Sequence, residues 1–283
     1  MIIEHPEFEV VVTSMGVPSI RNKILNEIMH NPVGPEKEAK DLYVIPSRMQ
    51  ERLESGEGPL VIFDVGLGAA ANALAAIECF FQAQTSRSLH LISFERNLEL
   101  LKFTLFHKNY FPLVLKHAEL LETLLETRKV QVGKLTWELH EGLFANTLEN
   151  ATANPEVIFY DPYSPKMNPE MWSLDAFLKL KKFLDRQPKL ACQLLTYSQA
   201  TPVRSALIGA GFFVGYGPST GLKEETTHAA TERDLLPLPL DQKWYRRWAS
   251  SHRRYPILCF DQHWWVDLKV NQYFAEGSRP SGS

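Results

Sequence analysis

The chain has 283 residues, with Lys+Arg 30 against Asp+Glu 33, 45% hydrophobic residues and a formal net charge of -3. That length fits one large domain with extensions or two small ones, and the apolar share supports a packed core. Collagen-like, disordered and disulfide-scaffold classes are excluded, and a nucleic-acid partner would need positive charge that is local. Cys79, Cys192 and Cys259 are widely spaced and form no CxxC pair, which suits a reducing compartment and provides neither a zinc site nor a disulfide framework. The start, MIIEHPEFEV, lacks the basic residues and apolar run of a signal peptide. The longest apolar stretch, 59–81, contains Asp64, Asn72 and Glu78 and reads as strand, loop and helix, not as a membrane span. The expectation is a soluble cytoplasmic protein with no membrane partner.

Residues 8–21 read as a small hairpin turning at Ser14-Met15-Gly16, and 36–54 as helix interrupted at Pro46. From residue 60 strands and helices alternate. LVIFDV (60–65) is a continuous apolar run, and helix follows over 69–84 with Ala73, Ala76, Ile77 and Phe80 on one face. LHLISF (89–94) is the second strand, followed by helices over 97–107 and 112–128. TWELH (136–140), EVIFY (156–160) and LACQLLT (190–196) are further strands, with helices at about 168–185 and 201–209. FFVGYG (212–217) and KEETTHAAT (223–231) read as a closing antiparallel hairpin. This alternation predicts a Rossmann-like, doubly wound α/β sheet of seven strands. The expected divisions are an N-terminal hairpin and helical extension (1–58), a cofactor-binding domain (59–231), a C-terminal extension (232–275) and a disordered tail (276–283).

Chemistry concentrates at two strand ends. Asp64-Val65-Gly66-Leu67-Gly68 lies between the first sheet strand and its helix, where glycines let the backbone turn tightly against a ligand. The next strand ends in Glu95, an acid placed to accept ribose hydroxyls. Together they suggest a nucleoside cofactor. Gly66, Gly68 and Ala71 depart from the GxGxxG of dinucleotide folds, and there is no Walker lysine. An acid two residues before the first glycine suits the cationic methionine moiety of S-adenosyl-L-methionine, directly or through water. After EVIFY comes Asp161-Pro162-Tyr163-Ser164-Pro165-Lys166-Met167-Asn168-Pro169-Glu170-Met171-Trp172. Its prolines fix an irregular loop, Asn168 is placed to cap the next helix with Pro169 at its first position, and Trp172 reads as core. Asp161, at the carboxyl end of a central strand, is the catalytic candidate.

These segments resemble the MnmC-type tRNA methyltransferases, in the form of the methyltransferase domain without the fused FAD oxidase. The family motifs run roughly E-x-G-F-G-T-G-x-N, D-[AG]-F-[SA]-P-x-x-N-P-[DE]-[ML]-W, and T-Y-S followed by R-x-x-L-x-x-A-G-F. The chain offers Asp64, Gly66, Gly68 and Asn72 for the first, residues 161–172 for the second, and Thr196, Tyr197, Ser198, Arg204, Leu207, Ala210, Gly211 and Phe212 for the third. Met29-His30, the segment Gly34 to Ala39, Lys223-Glu224 and Thr226, and Arg254-Tyr255-Pro256 add weaker similarity. Ala70 replaces a glycine of the turn. The acid that the family places near the adenine amine falls at Leu143, with Glu141 two residues earlier as its substitute.

The resemblance implies S-adenosyl-L-methionine bound through Asp64, Gly66, Gly68, Asn72, Glu95 and Glu141. The implied reaction is methylation of the aminomethyl amine of a modified wobble uridine in tRNA, with a separate FAD-dependent oxidase as a possible partner. Asp161 would orient the amine and take its proton, and Tyr163 and Tyr197 would stack on or hydrogen-bond the base. The chemistry needs no metal, and the nine histidines show no metal-ligand spacing. For the RNA, Lys243-Trp244-Tyr245-Arg246-Arg247-Trp248 and Arg253-Arg254-Tyr255 form the densest basic-aromatic run, with Arg246 and Arg247 as phosphate contacts and Lys166 and Arg204 as the alternative rim. Rival readings are a small-molecule amine methyl- or aminopropyl-transferase and a non-catalytic RNA- or cofactor-binding module.

Overall fold

A computed structural model of the chain describes residues 5–29, 32–187, 190–219 and 225–276. The expectations placed on His30, on Lys223 and Glu224, and on the tail beyond 276 lie outside the described residues.

Strands β1 (Phe8–Val12) and β2 (Pro18–Asn22) form the expected hairpin, with Val10 opposite Ile20, and a two-residue β3 (Glu27–Ile28) extends it to three strands. Helix α1 (Pro35–Ala39) runs into a π-helical turn, Lys40–Val44, in which the Ile45 N–H reaches the Lys40 carbonyl at 2.9 Å. The chain breaks at Pro46, as expected, and α2 (Met49–Ser55) follows.

The alternating segment then unfolds as β4 (Leu60–Val65), α3 (Ala71–Gln82), β5 (Leu89–Glu95), α4 (Glu99–Phe106), α5 (Pro112–Lys116) and α6 (Ala118–Thr127). It continues through β6 (Lys129–Val132), β7 (Leu135–Glu141), α7 (Phe144–Thr147), β8 (Val157–Tyr160) and α8 (Leu174–Leu184). It ends with β9 (Gln193–Thr196), α9 (Thr201–Gly209), β10 (Phe213–Gly217) and β11 (Thr226–Ala230). The sheet order is β10-β11-β9-β8-β4-β5-β7-β6. Strands β4, β5, β7, β8 and β9 pair in parallel, while β11 lies antiparallel between β9 and β10. All seven expected strands form. An eighth, β6, adds antiparallel to β7 at the edge.

Burial follows from alternation across the sheet. From β4, Leu60 and Ile62 enter the core beneath α3, while Val61, Phe63 and Val65 enter the core beneath α8 and α9. Beyond β11, α10 (Gln242–Ser250) and α11 (His263–Glu276) join that second core through Trp244, Trp248, Val266 and Val270. Asp241 caps α10, accepting the Trp244 N–H at 2.9 Å. No helix among the described residues is long and apolar enough to cross a membrane.

A carboxylate-lined candidate active site

Parallel neighbours β4 and β8 finish in register, Val65 beside Tyr160, so the glycine turn and the proline-rich loop leave the sheet side by side. Gly66 has φ 92°, and a Cβ there would lie 2.6 Å from the Asp161 carbonyl oxygen. Glycine is therefore required by both conformation and contact. One strand over, Glu95 Oε2 accepts the Gly68 N–H at 2.9 Å and Oε1 accepts the Asn97 N–H at 3.0 Å. The acid expected at the ribose thus also pins the glycine turn. Burial raises its carboxyl, and these backbone donors pull it back.

Asp161 donates its backbone N–H to the Val65 carbonyl at 2.8 Å, and its Oδ2 accepts from Asn72 Nδ2 at 2.7 Å. Asn72, expected at the cofactor, therefore meets the catalytic candidate. Burial, then the charge of Glu38, pushes Asp161 up to about 7, against the Asn72 donor. The Tyr43 hydroxyl lies beside this carboxyl as a second donor that pulls it back down, in a geometry short of a well-formed hydrogen bond. Three aromatic donors fix the loop. Tyr197 reaches the Pro162 carbonyl at 3.1 Å, the Trp172 indole reaches the Tyr163 carbonyl at 2.8 Å, and the Tyr160 hydroxyl reaches the Met171 carbonyl. Trp172 is fully buried, as expected. The capping expectation needs correction: Asn168 precedes a 3-10 turn, Pro169–Trp172, with no side-chain cap bond, and Ser173 caps α8 by accepting the Ala176 N–H at 3.2 Å.

A cavity of about 920 Å³ opens over these loops, lined by Gly66, Gly68, Asn72, Glu95, Asp161, Tyr163 and Tyr197. Its lining holds seven carboxylates (Glu7, Glu27, Glu38, Glu95, Asp161, Glu170 and Asp175) and two cations, Arg96 and Lys179, among the described residues. Three other expectations, for Asp64, Glu141 and Arg204, are corrected. Asp64 lies beneath the turn, fully buried, with Oδ2 accepting from Ser93 at 2.9 Å and Oδ1 unpartnered, so it does not line the cavity. Glu141 points to the edge strand, where it pairs with Arg128 at 2.6 Å, leaving Gly142, Leu143 and Phe144 at the cavity. Arg204 is 1% exposed and braces β11, donating to Thr227 Oγ1 (2.9 Å), the Thr226 carbonyl (2.7 Å) and Glu225 (2.9 Å). Lys166 is exposed on the proline-rich loop, and Arg246 and Arg247 are exposed on α10; none of the three lines the cavity.

Sequence reasoning missed the N-terminal share of the site: Glu7, Glu27, Glu38 and Tyr43. Glu38 and Tyr43 are five apart, a spacing that α-helical periodicity places on different faces; the π turn reconciles them.

Residues 111–232 match the family of S-adenosyl-L-methionine-dependent methyltransferases. The donor set agrees: a glycine turn, an acid at the next strand end and a cavity rich in carboxylates fit a ribose-bearing sulfonium. Over that segment the chain is similar to S-adenosyl-L-methionine-dependent methyltransferases. It is similar to the tRNA 5-methylaminomethyl-2-thiouridine biosynthesis bifunctional protein MnmC of Chromobacterium violaceum, at 26% identity over 75% of this chain and 32% of that protein. An uncharacterised protein of Methanocaldococcus jannaschii is 25% identical over 82% of this chain and 62% of its own length. The chain thus spans less than two thirds of the curated relatives it matches. Among solved structures, MnmC2 of Aquifex aeolicus shares the fold with a TM-score of 0.70, covering 96% of this chain and 87% of that one at 23% identity.

Proposed function

We propose that the protein is a cytoplasmic tRNA-modifying enzyme that methylates the aminomethyl amine of a wobble uridine, working with a separate FAD-dependent oxidase. The observation that carries this reading is Asp161: a carboxyl at a central strand end, fixed by Asn72 at 2.7 Å and facing a carboxylate-lined cavity beside the glycine turn. Gly66, Gly68 and Glu95 would hold the nucleoside part of S-adenosyl-L-methionine, with Gly142, Leu143 and Phe144 around the adenine. The bound cofactor supplies an electrophilic methyl group.

An alkylamine with a pKa of ~10.4 arrives protonated and cannot attack. Asp161 accepts a hydrogen bond from it, orients it and takes its proton. At its ordinary 3.8, a carboxyl would take that proton at a cost of roughly 9 kcal/mol; raised to about 7, it does so at roughly 5 kcal/mol. Tyr163, 41% exposed at the mouth, offers a ring to the base, while Tyr197 serves mainly to hold the loop. Nucleoside mass spectrometry of tRNA from a strain lacking the gene tests the reading: unmethylated aminomethyl nucleoside should accumulate. An unchanged profile would favour the second reading, a small cationic amine as substrate, which the excess of carboxylates in the lining supports.

A further inference from the structure

Tyr43 is 1% exposed, yet it lines the cavity and its hydroxyl lacks a hydrogen bond of good geometry. Its polar neighbour is the Asp161 carboxyl, met in poor geometry, which leaves the Tyr43 oxygen lone pairs open to an N–H from a ligand in the cavity. Burial and the Asp161 charge hold this phenol well above its usual range, so it stays a neutral O–H with oxygen lone pairs available. Its backbone belongs to the π turn, Lys40–Val44, a rare local form frequent at functional sites. Helix α1, which runs into that turn, brings Glu38 to the cavity, where its charge acts on both Asp161 and Tyr43.

We propose that Tyr43 is a positioning residue for the attacking amine, and that Glu38 supplies the charge that selects an alkylammonium over a neutral isostere. The proposal rests on the amine-methyltransferase reading of the site. Once Asp161 has taken the ammonium's proton and passed it to solvent, the neutral primary amine can turn; it has two N–H bonds and one lone pair. Asp161 accepts from one N–H and the Tyr43 oxygen accepts from the other, so the remaining direction on nitrogen is the lone pair, free for attack. An amine held by Asp161 alone would rotate about that single bond.

Tyr43→Phe deletes one oxygen that makes no well-formed hydrogen bond in the protein. The variant should melt near the wild-type temperature and keep its affinity for S-adenosylhomocysteine. Its kcat for methyl transfer should nonetheless fall by about tenfold or more, the size expected for a hydrogen bond to a charged or reacting group. Binding supplies a readout independent of RNA. Calorimetry on protein loaded with S-adenosylhomocysteine compares benzylamine with benzyl alcohol. Wild type should prefer the amine by about tenfold or more, and Glu38→Gln should erase most of that preference while leaving benzyl alcohol binding unchanged. Tyr43→Phe should weaken benzylamine binding as well. The proposal is overturned if wild type shows no amine preference, or if a folded Tyr43→Phe matches wild type in both turnover and benzylamine affinity. Should the amine preference depend on both residues while tRNA stays unmethylated, the subsite stands and the tRNA reading falls.

Discussion

Asp64 and Asp161 share a high proton affinity and differ in what they face. Asp161 meets the cavity, so Asp161→Asn, which keeps the shape but takes no proton, should cut turnover ~100-fold or more and leave S-adenosylhomocysteine binding intact; near-normal turnover would assign it to loop geometry alone. With its carboxyl at about 7, raised by burial and by Glu38 and Asp64, kcat/KM should rise with pH and level off above that value. Asn72 donates to the ionised form, so Asn72→Ala should move the acid limb to higher pH; a limb that stays put or moves lower would show that the pair does not set it. Asp64 reports on stability. It too is raised from 3.8 to about 7, first by burial and then by Glu95, against the Ser93 donor. Below the unfolded value both states are protonated. As pH rises towards 7 the unfolded chain releases the proton while the folded protein keeps it, so stability is lost across that window. Asp64→Asn cannot titrate, so its melting temperature relative to wild type should climb between pH 4 and pH 8. A constant difference would mean that Asp64 ionises normally in the folded protein.

At the scale of elements, legibility tracked how continuous the apolar pattern is. Strand β4 is buried at all six positions and β8 at all four, and such runs announce central strands. Strand β6, Lys-Val-Gln-Val, exposes three of its four residues, and β3 has two residues in all; neither leaves a periodic trace. The proline-rich loop after β8 was readable because proline, a buried tryptophan and a strand-end acid have separate local reasons to be there. The side chains that turned elsewhere were not. Arg204 looked like a rim cation in the sequence, yet it closes three hydrogen bonds inside the sheet edge, and Glu141 answers to Arg128, a partner fixed by a strand that the pattern did not reveal. The glycine turn offers a paired test of its backbone. Ala70 is fully buried with φ 65°, a left-handed position that costs an alanine about 1–2 kcal/mol. Ala70→Gly should therefore stabilise the protein by about 1 kcal/mol after the entropy of the freer unfolded chain is subtracted. Gly66→Ala would drive a methyl group into the Asp161 backbone, and should destabilise the protein and weaken S-adenosylhomocysteine binding together. Urea melts of the two variants should shift in opposite directions; a shift in the same direction would refute this account of the turn.

For the molecule as a whole, the difficulty is charge. On the proposed tRNA reading, a chain of net charge -3 with seven carboxylates in its cavity has to accept a polyanion at its mouth. The basic-aromatic run divides in the fold. Trp244 and Trp248 are buried against the core, Arg254 lies over the Trp248 ring at 5.3 Å, and Arg246 and Arg247 face outward. The aromatic half of the run is therefore packing, and the arginines carry what remains of the expectation. Their position is favourable. Arg247 approaches Glu225 at 3.8 Å, Glu225 pairs with Arg204 at 2.9 Å, and Arg204 holds Thr227, whose hydroxyl donates to the Ser198 carbonyl next to the cavity residue Tyr197. Helix α10 thus stands beside the carboxyl edge of the sheet, where a nucleic acid could lie across it with one base turned inward. Phosphates neutralised there release counterions, and each one neutralised at a duplex site adds about 0.9 to the slope of log affinity against log salt. Arg246→Glu with Arg247→Glu keeps Trp244 and Trp248 in place and reverses the outer charge. Filter binding of tRNA across a salt series should show weaker affinity, and a slope flatter by about 0.9 for every duplex phosphate that the variant no longer neutralises, with S-adenosylhomocysteine affinity unchanged. If the folded double variant binds tRNA as wild type does at every salt concentration, α10 is no part of the RNA surface, and the next cation to test is Lys166, exposed on the proline-rich loop that carries Asp161.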